Sequence, residues 1–223
     1  MKTGMTIAVL GATGMVGSRV ITEASARGHQ VLALSRTPAS ESPNVTPIAV
    51  DANDSYAVRE ALASNGAADA VVLTVRTVPV DQEFLVGTTR TVLDTAAQLG
   101  IRVLVVGGAG ALRSPDDHEL LVADNPAYVP AEFRTVAAAG IAQLRTCQGH
   151  AGGEWAYLSP PALLEPGART GRYRRGSDTL LVGVDGRSWI SAEDLAVAVV
   201  DELESPGSER LFTVVHRDVR PSA

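Results

Sequence analysis

Apolar residues along the chain fall into short runs alternating with helical stripes. Thr6-Ile7-Ala8-Val9-Leu10 is one run, ending at a glycine turn; Val16, Val20, Ile21 and Ala24 then recur at helical spacing up to Arg27-Gly28, where Gly28 is placed to cap a helix. Val31-Leu32-Ala33-Leu34, Val45 to Val50 and Ala70-Val71-Val72-Leu73 are near-continuous apolar runs, the pattern of strands covered on both faces. Helical spacing returns over Tyr56 to Ala63 and over Phe84 to Leu99, where Leu85, Thr89, Val92, Ala96 and Leu99 share one face before Gly100. Ile101 to Val106 reads as a fifth strand. The alternation predicts a parallel sheet with right-handed crossovers, a doubly wound α/β fold.

The later third predicts a helix over Ala131 to Gln148 and a strand over Trp155 to Leu158, ended by Ser159-Pro160-Pro161. A helix over Ala192 to Leu203 and a last strand over Leu211 to Val215 follow. No repeat or linker divides residues 1–223, which read as a single domain with a small irregular substrate lobe over about 159–186.

Composition narrows the functions open to this fold. Lys2 is the only lysine among 19 basic residues, so an internal catalytic lysine is excluded. The net charge of −6 and the absence of a basic block argue against nucleic acid as a partner. A lone cysteine, Cys147, forbids an internal disulfide and suits a reducing compartment. No stretch approaches the roughly 18 apolar residues of a membrane span, and the run Met5 to Leu10 is too short for a signal-peptide core. A cytoplasmic location is expected.

The candidate chemistry starts at Gly11-Ala12-Thr13-Gly14-Met15-Val16-Gly17, between the first strand and the first helix. Backbone N–H groups and the helix dipole there can hold a diphosphate, and glycines let the backbone approach it. With a second strand completing a βαβ unit, the turn is a Rossmann-type dinucleotide fingerprint; a tight turn without ligand is the plainer alternative. An acid about 20 residues beyond the glycines would select NAD through the ribose hydroxyls. The chain instead has Ser35-Arg36-Thr37, where Arg36 would face a 2′-phosphate with Ser35 and Thr37 as neutral donors, favouring NADP(H) over NAD(H). A solvated loop arginine is the alternative.

These residues, with Asp51 after the third strand, Val105-Val106-Gly107-Gly108-Ala109-Gly110 after the fifth and Ser159-Pro160-Pro161-Ala162 after the sixth, resemble the atypical short-chain dehydrogenase/reductases. The likeness is greatest to the NAD(P)H-binding, NmrA-like proteins described as NADH-flavin reductases, and more distant to biliverdin reductase B. It spans nearly the whole chain, including Ile190-Ser191-Ala192-Glu193-Asp194-Leu195-Ala196. The resemblance implies that Asp51 and Ala52 lie by the adenine, Thr74 and Val75 beside the cofactor, and Gly107, Gly108 and Ala109 near the nicotinamide ribose. It also implies that Ser159, Pro160, Pro161 and Ala162 border the nicotinamide amide. Read without it, Asp51 could cap a helix and Ser159-Pro160-Pro161 could simply turn the chain.

One departure bears on mechanism. Most catalytic members of the wider superfamily use Tyr-x-x-x-Lys, the lysine lowering the tyrosine pKa for proton exchange with a carbonyl. Here Tyr128 is followed four residues on by Glu132, and no downstream lysine exists. Flavin or quinone reduction needs only alignment of donor and acceptor, with a proton from water. Two readings follow: an NAD(P)H-dependent reductase, NADPH favoured, acting on a flavin, quinone or similar planar acceptor, or a non-catalytic NADP-sensing NmrA-like regulator. No catalytic residue is assigned. Either a monomer or a homodimer is compatible with the sequence.

Other clusters were weighed as well. Asp116-Asp117-His118-Glu119 reads as a solvated acidic loop, with His118 as proton donor or ligand the alternative; no metal signature is present. Arg169, Arg172, Arg174 and Arg175 could bind an anionic acceptor such as a flavin phosphate, or form a solvated hairpin. Trp155, Tyr157 and Cys147 read as core or helix-face residues.

Overall fold

The computed structural model describes residues 4–38, 42–64 and 68–217. Strands β1 (Thr6–Leu10), β2 (Gln30–Ser35), β3 (Val45–Ala49), β4 (Ala70–Leu73), β5 (Arg102–Val106) and β6 (Trp155–Ser159) are interleaved with helices α1 (Met15–Ala26), α2 (Ser55–Ser64), α3 (Gln82–Leu99) and α4 (Arg134–Gln148). The short strands β7 (Leu163–Glu165), β8 (Tyr173–Gly176) and β9 (Trp189–Ser191) follow, then α5 (Ala192–Glu204) and β10 (Leu211–His216).

One sheet runs β3-β2-β1-β4-β5-β6-β10-β8, parallel throughout except for β8, which lies antiparallel to β10; β7 and β9 form a separate parallel pair. Leu10 at the end of β1 is in register with both Leu34 of β2 and Leu73 of β4. The chain leaves β1 in one direction toward β2 and later returns on its other side at β4, so a crevice opens there, above the carboxyl ends of the strands.

Both faces of the sheet's centre are buried, which explains why β1, β2, β4, β5 and β6 read as apolar runs; β3, expected to be covered on both faces, lies at the margin with Thr46 and Ala49 exposed. Helices α1 and α5 cover Ile7, Val9, Leu104, Leu158 and Phe212, while α2, α3 and α4 cover Leu10, Leu34, Leu73, Val103 and Tyr157. A third cluster, Leu112, Val122, Val129, Ala137 and Leu180, sits under the long connection from β5 to α4.

The doubly wound α/β architecture is as the alternation predicts. The helix expected from Ala131 instead starts as a 3-10 turn, Ala131–Phe133, and becomes α-helical at Arg134. Residues 131–136 are all exposed, so no packing holds that turn in the wider helix. The sheet's two margins have unusual compositions: Pro47 interrupts β3, and β8 reads Tyr-Arg-Arg-Gly.

Candidate functional site

The glycine turn is shaped by contacts that admit no side chain. Gly11 has φ +98°, and a Cβ there would stand 2.6 Å from Thr74 Oγ1; a Cβ on Gly17 would stand 2.2 Å from the Gly11 carbonyl oxygen. The Gly11 and Ala12 N–H groups both donate to Leu34 O at 3.1 Å, and Gly14 N–H donates to Gly11 O at 3.0 Å. These three donors therefore build the turn. Thr13, Met15, Val16 and Gly17 have no backbone acceptor for their N–H groups among the described residues. Gly14 caps α1 with no side-chain hydrogen bond, and no acidic residue occupies the first turn. An uncompensated partial positive charge, about half an elementary charge, remains at this helix end.

Around it stand the other residues expected from the sequence. Ser35 Oγ donates to Thr37 O at 2.9 Å, which engages its proton, whereas Arg36 is exposed and has no protein partner among the described residues. Asp51 is not a helix cap: its Oδ1 accepts from Asn53 N–H and Nδ2 at 3.0 and 3.2 Å, and α2 is capped by Asp54, which accepts from Tyr56 and Ala57. Beside Ala52 a groove of about 480 Å³ opens toward α3, lined by Asn53, Asp81, Phe84, Gly87 and Thr88. Thr74 Oγ1 donates to Leu10 O at 3.2 Å, and Val75 next to it is half-buried.

On the far side of the crevice, Gly107 N–H donates to Leu158 O at 3.0 Å, followed by Gly108 and a 3-10 turn from Ala109 to Ala111. Ser159 is fully buried and its Oγ has no partner; Thr213, its register neighbour on β10, has an unpartnered hydroxyl too. Pro160 and Pro161 are buried, and Ala162 N–H donates to Ser188 Oγ at 3.2 Å. The glycine cradle, the free amides and the orphan hydroxyl at Ser159 suit a dinucleotide.

The amino end of α5 organises the opposite wall. Burial alone would raise the Glu193 pKa, but the Arg19 guanidinium at 2.8 Å and the Gly167 N–H at 2.7 Å outweigh it and hold it low. Asp194, fully buried, accepts from Thr170 N–H, Thr170 Oγ1 and Gly171 N–H at 2.5–2.8 Å.

Three of the four clustered arginines serve this framework rather than an anion. Arg169 grips Glu23 at 2.6 and 2.8 Å, and that pair is the main reason the Glu23 carboxyl lies below its ordinary pKa. Arg175 pairs with buried Glu202 and lies 3.8 Å over the Phe212 ring, and Arg174 donates to Val182 O. His118 is exposed, and among the described residues no group of three His, Cys, Asp or Glu side chains is placed to hold a metal ion. Burial and the Asp116 charge push the Tyr128 phenol up, opposite to the shift a catalytic tyrosine needs. Cys147 is buried, its thiol pushed up to about 12, and is unreactive by that measure.

Tyr157 is a core residue, and its hydroxyl makes contacts with the loop after β5 that sequence reasoning missed. A Cβ on Gly107 would lie 1.8 Å from that hydroxyl, so the glycine exists to admit it.

A glycine turn of this kind at the switch point of a doubly wound sheet defines a nicotinamide-dinucleotide-binding protein. The chain belongs to the NAD(P)H-binding family, whose model matches residues 11–206. It is 34% identical over 216 residues to the uncharacterized protein YwnB of Bacillus subtilis (strain 168), covering 95% of this chain and 98% of that one. A Burkholderia pseudomallei structure named "putative exported protein" is 37% identical with a TM-score of 0.84, covering 95% of this chain and all of that one. A Streptococcus pneumoniae TIGR4 structure named "putative NADH-flavin reductase" is 27% identical with a TM-score of 0.83, over 96% of this chain and 100% of that one. No helix among the described residues is long and apolar enough to cross a membrane.

Proposed function

We propose that this chain is an NAD(P)H-dependent reductase, with NADPH favoured, that passes a hydride to a flavin, quinone or similar planar acceptor without a tyrosine–lysine pair. The observation that carries this reading is the amino end of α1, with free amides and neither cap nor acid. When bound, the reduced nicotinamide supplies the hydride. The Thr13, Met15, Val16 and Gly17 amides hold the diphosphate. Arg36 faces the 2′-phosphate; with the Ser35 proton engaged, Arg36 is the principal donor there. Asp51 keeps Oδ2 for the adenine amino group, since only Oδ1 is bonded. Gly107 to Ala109 border the nicotinamide ribose and Ser159 to Ala162 its carboxamide.

The acceptor's character follows from the rim. Five exposed apolar residues follow carboxyl ends of sheet strands: Met15 and Val136 in the first turns of α1 and α4, Phe133 just before α4, Val78 after β4, and Leu163 at the start of β7. An apolar margin around an otherwise polar crevice suits a flat, largely apolar ring system. The name of the pneumococcal relative agrees with a flavin.

Calorimetry with NADPH and NADH, followed by NADPH oxidation against flavins, quinones and aldehydes, tests the reading. Turnover on a planar acceptor and none on aldehydes is expected. Tight binding with no turnover on any acceptor would assign the chain instead to the NADP-sensing regulators. No heat with either coenzyme would overturn both readings.

A further inference from the structure

A line of buried hydrogen bonds runs behind the nicotinamide side of the site. Tyr157 is fully buried on β6, and its hydroxyl donates to Gly140 O of α4 at 3.0 Å, with Gln143 Oε1 at 3.4 Å. The Gly108 N–H acts on the same phenol, lowering its pKa slightly against the larger rise from burial. Gln143 continues the line, its Nε2 donating to Thr89 Oγ1 at 3.1 Å; Thr89 gives its own proton to Leu85 O at 2.7 Å. Because Thr89 has no proton left, Gln143 must present its amide nitrogen to Thr89, which turns its oxygen toward Tyr157, whose single proton is shared between Gly140 O and Gln143 Oε1. Immediately before Thr89 on α3, Thr88 donates to Ala52 O at 3.4 Å, beside the adenine-side groove.

We propose that Tyr157 is a positioning residue for the nicotinamide end of the dinucleotide site, fixing Gly107 to Ala109 through Gln143 and Thr89 against helix α3. This rests on the reductase reading for the ligand but not for the clamp itself. Two features favour positioning over simple core filling. The first is that Gly107 has no room for a side chain because the phenol oxygen occupies it, so backbone and hydroxyl are in direct contact. The second is that consecutive threonines of one helix hold the two ends of the site: Thr88 the Ala52 loop, Thr89 the Gly107 loop by way of Gln143 and Tyr157. Helix α3 thereby acts as a crossbar, and loss of the phenol hydroxyl would free one end only. Removing it takes the hydroxyl away from the buried Gln143 Oε1 and from the Gly107 backbone, where an unpaired group drives a local rearrangement.

The test compares Tyr157→Phe and the isosteric Thr89→Val with Tyr173→Phe. Tyr173 is a partly buried tyrosine bonded to Asp201 at 2.6 Å, and its loss matches the deletion without touching the site. Calorimetry is run with the coenzyme that binds wild type more tightly and with 5′-ADP, which lacks the nicotinamide half. Tyr157→Phe should weaken the dinucleotide about tenfold and Thr89→Val about threefold, both leaving 5′-ADP within about twofold; Tyr173→Phe should change neither. Amide hydrogen exchange of segment 107–111 in the free protein should speed up about tenfold in Tyr157→Phe alone of the two tyrosine variants. Equal weakening of both ligands, no weakening of the dinucleotide, or unchanged exchange would overturn the proposal. If wild type binds no dinucleotide the reductase reading falls, and exchange alone then decides whether the clamp exists. Should Tyr157→Phe fail to fold, Thr89→Val decides by the same two ligands.

Discussion

The amino ends of α1 and of α3 and α5 face the same edge of the sheet and are finished in opposite ways. Asp81 caps α3 by accepting from Phe84 N–H, with Glu83 in the first turn; Ser191 caps α5 by accepting from Asp194 N–H, with Glu193 and Asp194 following. Both helices meet their own demand for hydrogen-bond acceptors and negative charge. Helix α1 has neither and stays in want of an anion. Capping typically stabilises by about 1 kcal/mol, so leaving α1 uncapped forgoes stability that a bound diphosphate would restore.

Several changes would break or sharpen that contrast. The largest effect is expected from Gly17→Ala, whose Cβ would collide with the Gly11 carbonyl. Coenzyme binding should be lost in calorimetry and stability reduced by roughly 1–3 kcal/mol in urea titration. Gly14→Asp tests the same helix end chemically, by giving α1 the kind of cap α3 possesses. Affinity for the dinucleotide should fall at least about a hundredfold while folding stability holds or rises by up to about 1 kcal/mol. Arg36→Asp should weaken NADPH by about tenfold to a hundredfold and leave NADH little changed; equal affinity for NADPH in variant and wild type would remove Arg36 from the site. Ser191→Ala runs the contrast in reverse, since it opens a closed end and also frees Ala168 O. A stability loss of roughly 1–2 kcal/mol with unchanged coenzyme affinity is expected.

The smallest effect concerns pH. Glu23 has its folded-state pKa lowered chiefly by Arg169, so the pair contributes stability above the ordinary glutamate value of about 4.3 and loses it as pH falls through the lower folded value. The difference in melting temperature between wild type and Arg169→Ala should therefore be present at pH 7 and close as the solution is acidified below that range. A difference that persisted to the lowest pH would show that the arginine acts by packing alone.

The sequence carried the repeating half of the molecule because its signals are local. Strands β1, β2, β4, β5 and β6 are apolar runs, and the turn at Gly11 sits where a strand pattern gives way to a helical one. What stayed hidden depends on partners remote in the chain. Strands β7, β8 and β9 have three or four residues each, too few for a period, and β8 is held by β10 and by Arg175 reaching Glu202. The arginines of that stretch looked available for an anion because their carboxylate partners, Glu23 and Glu202, lie 146 and 27 positions away. Asp51 could cap a helix by type, but the backbone path gives that place to Asp54, three residues on. At the site, the Gly107 and Ser159 segments were legible through family likeness alone; the Tyr157 hydroxyl, whose contacts join β6, α4 and the β5 loop, had no local signature.

The two outer strands of the sheet deserve a last inference about behaviour in concentrated solution. A strand with one unpaired side is a template on which another polypeptide can add, the first step toward fibrils or precipitate. At one margin Pro47 lacks an N–H to offer, and at the other neighbouring arginines on β8 place positive charge where a second strand would dock. Neither border of the eight-stranded sheet invites such extension.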